Sequence, residues 1–362
     1  MNQRFKRPII EFGITAVMLL GLPPLGVWLA GMPLRGYFEF PPGPRTIAHA
    51  PFSWTVFALY AVLIAASVLP LLFRALQSVR HAPSKPSAAS VFPWWGWAAA
   101  AAGAAMWGLA WTRFEWFAGF QPHTFTPLWL GYIVVVNAMC LWRHGRSLMT
   151  CRPFYFLALF PASAAFWWFF EYLNRFVQNW QYAGVHFDAA QYFWYATLSF
   201  STVLPAVLST RELIRPQAWL QNGFRHFLKP RCRRPRLAAV GVLILAAGGL
   251  SGIGVWPDTF FSLLWIAPLL IILSLQVMFH EPTLLTEVAA GDWRTAIASA
   301  LAALVCGWFW EMWNAGSLAH WTYSVPYLQR FKIFEMPAIG YAGYLPFGLE
   351  CAVIGALIDR SG

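Results

Sequence analysis

Two carboxylates stand in closely similar surroundings. Residues 166–174 read FWWFFEYLN and residues 307–314 read GWFWEMWN. Glu171 and Glu311 are each followed three positions later by an amide, Asn174 or Asn314. Two W-x-Y segments come next, Trp180/Tyr182 and Trp321/Tyr323. A positioned carboxyl group exchanges protons with a substrate, an amide orients it, and indole and phenol rings offer their faces to an apolar or cationic ligand. The pattern therefore nominates Glu171 and Glu311 as catalytic residues. Asn174, Asn314, Trp180, Tyr182, Trp321 and Tyr323 are the substrate-binding candidates. The plainer alternative leaves both Glu in headgroup water and makes the W-x-Y pairs anchors at the membrane–water boundary.

Glu350 is a third catalytic candidate of a different kind. It falls about 14 residues into the last apolar run, roughly 20 Å from its start at 1.5 Å per residue. A charge at that depth must face the bundle interior and find a partner or a proton. The surrounding run, GYAGYLPFGLE, permits close packing or a bend. Arg175, one turn beyond Glu171, is its expected i,i+4 partner. Glu335 is expected as an N-terminal charge on the last helix. His186, Asp188 and His320 show no metal-ligand spacing such as H-E-x-x-H, and no P-loop, G-x-G-x-x-G or nucleophile elbow occurs. No metal and no cofactor is expected. The five cysteines, Cys140, Cys151, Cys232, Cys306 and Cys351, lack a C-x-x-C spacing, and no disulfide is expected.

The elements that must position these groups are apolar helices. The 362 residues are 59% hydrophobic and only 11% charged, against roughly a quarter charged in soluble domains. That excludes a soluble enzyme and a disordered chain. A helix needs about 20 mostly apolar residues to cross roughly 30 Å of hydrocarbon. Ten windows qualify: Ile9–Leu29, Trp54–Phe73, Pro93–Trp111, Thr124–Trp142, Phe154–Asn174, Ala190–Ser209, Leu237–Trp256, Thr259–Phe279, Thr295–Asn314 and Met336–Ile358. The first reads as a retained helix, kinked at Pro23-Pro24, because no small-residue cleavage site follows it. The fold class is an all-α polytopic membrane protein in contact with the lipid bilayer.

Charge sets the orientation. With the N-terminus inside, nineteen of the 25 Lys and Arg fall on the inner side and six on the outer. The inner set includes Arg4, Lys6, Arg7 and Lys85, and the outer set Arg45. That bias places both termini in the cytoplasm, and the plasma (inner) membrane is the expected location. It also accounts for the formal charge of +11 without a nucleic-acid partner.

The similarity of the two Glu segments extends in both directions. Pro122, Thr124, Phe125 and Trp129 match Pro257, Thr259, Phe260 and Trp265, and Leu204-Pro205 matches Leu345-Pro346. The offset drifts from 135 to 141, as small loop insertions would cause. Each copy holds four spans, so tandem copies share one orientation and form parallel repeats about an axis along the membrane normal. The expected organisation is a two-helix N-terminal unit over 1–90, a four-helix repeat over 91–210, a basic linker over 211–236 and a second four-helix repeat over 237–362. The linker holds eight Lys and Arg with Trp219, Phe224 and Phe227, and is expected to lie on anionic lipid.

Three function classes fit: a protein with a polar site near the outer face that binds or modifies a lipid or isoprenoid-like substrate, a transporter or channel coupled to protonation of an intramembrane Glu, and a non-catalytic scaffold. The succession of Glu311, Trp321, Tyr323, Pro337 and Glu350 is similar to that in the membrane domains of lycopene cyclases. It lacks the paired Glu-Glu after the proline that is associated with those domains.

Overall fold

The computed structural model describes residues 3–43, 46–80 and 91–360. Arg45 and Lys85, used in the charge count, lie outside them. The chain is mostly helical. Its main elements are α1 (Gln3–Leu29), α2 (Trp54–Arg80), α3 (Trp94–Trp111), α4 (Phe125–His144), α5 (Pro153–Val177), β1 (Trp180–Ala183), α6 (Ala189–Phe200), α7 (Val203–Ile214), α8 (Ala218–Phe224), α9 (Pro235–Gly252), α10 (Leu263–Phe279), α11 (Arg294–Gly316), β2 (His320–Tyr323), β3 (Lys332–Ile333), β4 (Met336–Pro337) and α12 (Tyr344–Arg360).

Among the described residues seven helical segments are long and apolar enough to cross a membrane: Glu11–Leu29, Trp54–Arg80, Gln121–His144, Pro153–Val177, Pro235–Gly252, Arg294–Gly316 and Ala338–Asp359. Three of the ten expected windows differ from these for separate reasons. α3, with five Trp and three Gly among its 18 residues, is not one of the seven. α10 is apolar throughout but has 17 residues. The window Ala190–Ser209 is broken at Ser201-Thr202 into α6 and α7. Pro205 has no N–H to continue the helix. Ser163 of α5 serves the break, donating its hydroxyl to Phe200 O at 2.6 Å and accepting Leu204 N–H at 3.0 Å. A broken helix persists in an apolar interior only when its freed backbone groups are met in this way.

The last window is also irregular at its start. Met336 and Pro337 form β4 and Ala338–Gly343 is a 3-10 turn, so regular α-helix begins only at Tyr344. Glu335 therefore does not begin a helix; it sits in the β3–β4 hairpin and pairs with Lys332 at 3.5 Å.

α1 runs without interruption through Pro23 and Pro24. It packs on α9 and α10, with Val27 fully buried. Gly26 makes that approach feasible, since a Cβ there would stand 1.9 Å from Ser251 O. α2 docks elsewhere, against the linker helix α8. The linker is held by protein contacts. Phe224 is fully buried, its carbonyl accepts Trp293 N–H at 2.9 Å, and Arg74 Nε donates to Gly223 O at 2.9 Å.

α3 packs with α4, α5 with α7 and α4 with α7; correspondingly α9 packs with α10, α11 with α12 and α10 with α12. The two sets meet where α7 crosses α11 and α5 crosses α12. Small residues at the centre, Ala302, Ala303 and Cys306, are fully buried beside Leu204 and Leu208. Close approach of backbones replaces a hydrophobic driving force between helices in lipid.

The segments between helices gather on two opposite faces. On one, β1 and β2 pair antiparallel in register Trp180↔Tyr323 and Tyr182↔Trp321. This face is called the ribbon face below. The N-terminal loop joins it: Gln178 Oε1 accepts Thr46 N–H and Ile47 N–H at 2.8 and 3.0 Å. His49 Nδ1 lies 2.5 Å from Asp258 Oδ1, and Asp258 Oδ2 accepts Ala50 N–H at 2.8 Å. The linker face carries Gly223, Trp293, and the Arg152–Asp359 ion pair. The two short ribbons are the departure from an all-α architecture.

Candidate functional site

Two helix ends build the site. α5 terminates at Gln178, which adopts a left-handed conformation (φ 51°) and turns the chain into β1. In the last turn, Asn174 Oδ1 accepts Asn179 N–H at 2.8 Å and Trp180 N–H at 3.3 Å, while its Nδ2 donates to Trp180 O at 2.8 Å. α11 ends at Ser317 in an extended conformation but carries the same amide clamp. Asn314 Oδ1 accepts Trp321 N–H at 2.7 Å and its Nδ2 donates to Trp321 O at 2.8 Å. Both amides therefore clamp the backbone of the first W-x-Y residue.

One turn earlier on each helix sits the carboxylate. Alternation along β1 puts Trp180 and Tyr182 on one side of the strand. Glu171 Oε1 accepts Trp180 Nε1–H at 3.0 Å, Tyr182 O–H at 2.6 Å and Trp167 Nε1–H at 3.2 Å. Glu311 Oε1 accepts Tyr323 O–H and Tyr344 O–H, both at 2.7 Å. Trp321 Nε1 donates to the Tyr323 hydroxyl at 2.8 Å instead of to the carboxylate. Trp180, Tyr182 and Tyr323 are thus hydrogen-bond donors to Glu171 or Glu311, and both carboxylates are buried, 6% and 0% exposed.

The cages are separate. Among the described residues no donor is common to both, and Trp167 beside the Glu171 cage faces Trp310 beside the Glu311 cage across 6.4 Å. Among the described residues neither Glu forms a salt bridge. Arg175, the expected partner of Glu171, reaches the Glu39 carbonyl instead. The halves also exchange aromatic contacts. Trp265 stacks on Phe170 at 5.0 Å, and its counterpart Trp129 lies over Trp310 at 4.9 Å. Phe170 and Trp310 each immediately precede the carboxylate of their own half.

One difference between the cages is built in. The position matching Trp167 in the second half is Gly307. A Cβ there would stand 2.4 Å from the Tyr344 ring. Tyr344 fills the space an indole would take and supplies the donor that Trp167 supplies to Glu171. Glu311 Oε2 is enclosed and unpartnered among the described residues. Glu171, by contrast, lines a crevice of about 320 Å³ with Phe40, Trp168, Tyr172, Arg175 and Phe193. Phe40 comes from the N-terminal loop and packs on Trp168 and Tyr192 at 6.0 and 5.6 Å.

The two ribbon phenols, Tyr182 and Tyr323, are both raised. Burial raises the Tyr182 hydroxyl well above its ordinary value, and the adjacent Glu171 raises it further. Tyr182 as a residue is 42% exposed, but its hydroxyl bonds the buried carboxylate. Tyr323 is raised in the same way by burial and by Glu311.

Glu350 belongs to neither cage. It lies at the α10–α12 crossing, 1% exposed, and Oε1 accepts Leu269 N–H at 2.9 Å. Leu269 follows Pro268, where the ring disturbs the helix ladder. At the matching α4–α7 crossing, Asn137 Nδ2 donates to Ser209 Oγ at 2.9 Å. Ser209 aligns with Glu350, so the matched position carries a polar link at both crossings, with different chemistry.

Trp167, Tyr344 and Phe40 were not singled out from the sequence. Trp167 lies at i−4 from Glu171, a helical neighbour, and that spacing could have found it. Tyr344 aligns with Val203 and gave no such signal. Comparison with protein-family models, curated proteins and solved structures returns no match for this chain. The similarity of Glu311, Trp321, Tyr323, Pro337 and Glu350 to lycopene cyclase membrane domains gains no support from it.

Proposed function

We propose that this chain is a multi-pass protein of the plasma (inner) membrane that binds a lipid or isoprenoid-like molecule in the Glu171 crevice. Glu171 is the group that exchanges a proton with the ligand. The observation that carries this is a buried carboxylate set in an aromatic crevice. Phe40, Trp168, Tyr172 and Phe193 supply the apolar walls, and Arg175 stands at the same opening. Three neutral donors occupy Oε1 and fix the carboxyl group in place, which leaves Oε2 for the ligand. Aromatic walls with a few placed polar groups are the usual make-up of a small-molecule site.

The reading includes ten passes with cytoplasmic termini and two parallel four-helix repeats. The matched Asn clamps, the reciprocal Trp265–Phe170 and Trp129–Trp310 contacts and the pairing of the two W-x-Y segments support it. In the second repeat the Tyr344 substitution closes the equivalent site.

A diazirine-tagged prenyl or acyl lipid tests the reading. Crosslinks should map to Phe40, Trp168 and Phe193, and Glu171→Gln should reduce them severalfold while Glu311→Gln leaves them unchanged. Crosslinks confined to lipid-facing positions such as Val62 would overturn it.

A further inference from the structure

The linker face carries a second crevice, of about 440 Å³, lined by Arg234, Pro235, Arg236, Leu237, Val277 and His280. It lies where α9 begins beside the end of α10. Arg236 Nη2 stands 3.3 Å from His280 Nδ1, with Arg234 two residues away. Among the described residues no ion pair engages Arg234, Arg236 or His280. The first turn of α9 has no side-chain cap, so its free N–H groups add to the positive potential.

Below this basic rim the surface is apolar. Leu237, Gly241, Ile244 and Gly248 are exposed and recur at helical spacing on one side of α9. Gly241 and Gly248 have open space where a side chain would stand. From 237 to 248 this exposed strip, a shallow trough only where Gly241 and Gly248 lack side chains, runs about 16 Å at 1.5 Å per residue. That matches one leaflet, half of a hydrocarbon core about 30 Å thick.

We infer that this crevice is a binding site for an anionic phospholipid. The phosphate sits among Arg234, Arg236 and His280, and one acyl chain lies along the Leu237–Gly248 trough. Guanidinium groups suit phosphate oxygens through paired N–H donors. The trough distinguishes a phospholipid from a free phosphate, since only the former has a chain to fill it. The site narrows the expected contact of the 211–236 linker with anionic lipid to one end of that segment and adds His280 from outside it. It does not depend on the Glu171 crevice.

The test uses purified full-length protein and native mass spectrometry with phosphatidylglycerol, phosphatidylcholine and inorganic phosphate. Phosphatidylglycerol should be retained over phosphatidylcholine. Arg234→Gln with Arg236→Gln should weaken its retention about 30-fold, at about 1 kcal/mol per surface cation. Gly241→Trp, on an exposed face with room for the ring, should weaken it without removing any charge. Inorganic phosphate should not displace it. Unchanged retention in either variant, or displacement by inorganic phosphate at equal concentration, overturns the assignment.

Discussion

Gly307 and Tyr344 form a matched pair: the missing side chain of one makes room for the ring of the other. A Cβ at 307 would lie 2.4 Å from the Tyr344 ring, and the ring's hydroxyl bonds Glu311 Oε1 at 2.7 Å. Gly307→Ala should therefore cost about 1–3 kcal/mol through overpacking, seen as a lowered melting temperature in detergent. Tyr344→Phe keeps the ring and should cost about 1 kcal/mol for the lost hydrogen bond. A Gly307→Ala protein as stable as the parent would show that the ring is not confined as described.

Alkaline titration should place the two caged phenols among the late-titrating tyrosines. Their hydroxyls are raised in the folded state. A raised group contributes stability that is complete below its unfolded value, about 10, and is lost as pH climbs toward the folded value. Tyrosinate absorbance should thus appear late for Tyr182 and Tyr323, together with unfolding. Replacing both by Phe should remove only signal that coincides with unfolding; loss of signal near pH 10 from the folded protein would count against the cages.

The proposed orientation has a direct check in the natural thiols. Cys232 is exposed in the linker, and Ala118 is exposed on the ribbon-face loop after α3. With each as the sole cysteine, an impermeant maleimide on intact cells should label Ala118→Cys and leave Cys232 unlabelled until the cells are permeabilised. The opposite pattern would invert the orientation.

The sequence carried the long apolar helices, the paired Glu and Asn positions and the W-x-Y segments, because each is local or repeats at nearly constant offset. It did not carry the partners. The donors to Glu171 come from one turn before it and from a strand beyond it. A four-residue strand leaves little periodicity to read, so Trp180 and Tyr182 were legible as aromatic residues but not as the donors. The break at Ser201-Thr202 depends on Ser163, distant in sequence, so hydropathy alone joined α6 to α7. The sealing of the second cage rests on Gly307 and Tyr344 together, and neither residue signals it by itself.

The β1–β2 ribbon also orders biogenesis. β1 leaves the ribosome long before β2, which follows α11. The first half can complete the Glu171 cage from its own Trp167, Trp180 and Tyr182. Its strand edge and the face of Phe170 stay bare until Trp265 and then Trp321 arrive. During insertion the half-made protein thus presents an unpaired backbone edge on the ribbon face, an exposure that ends only when the second half folds onto it.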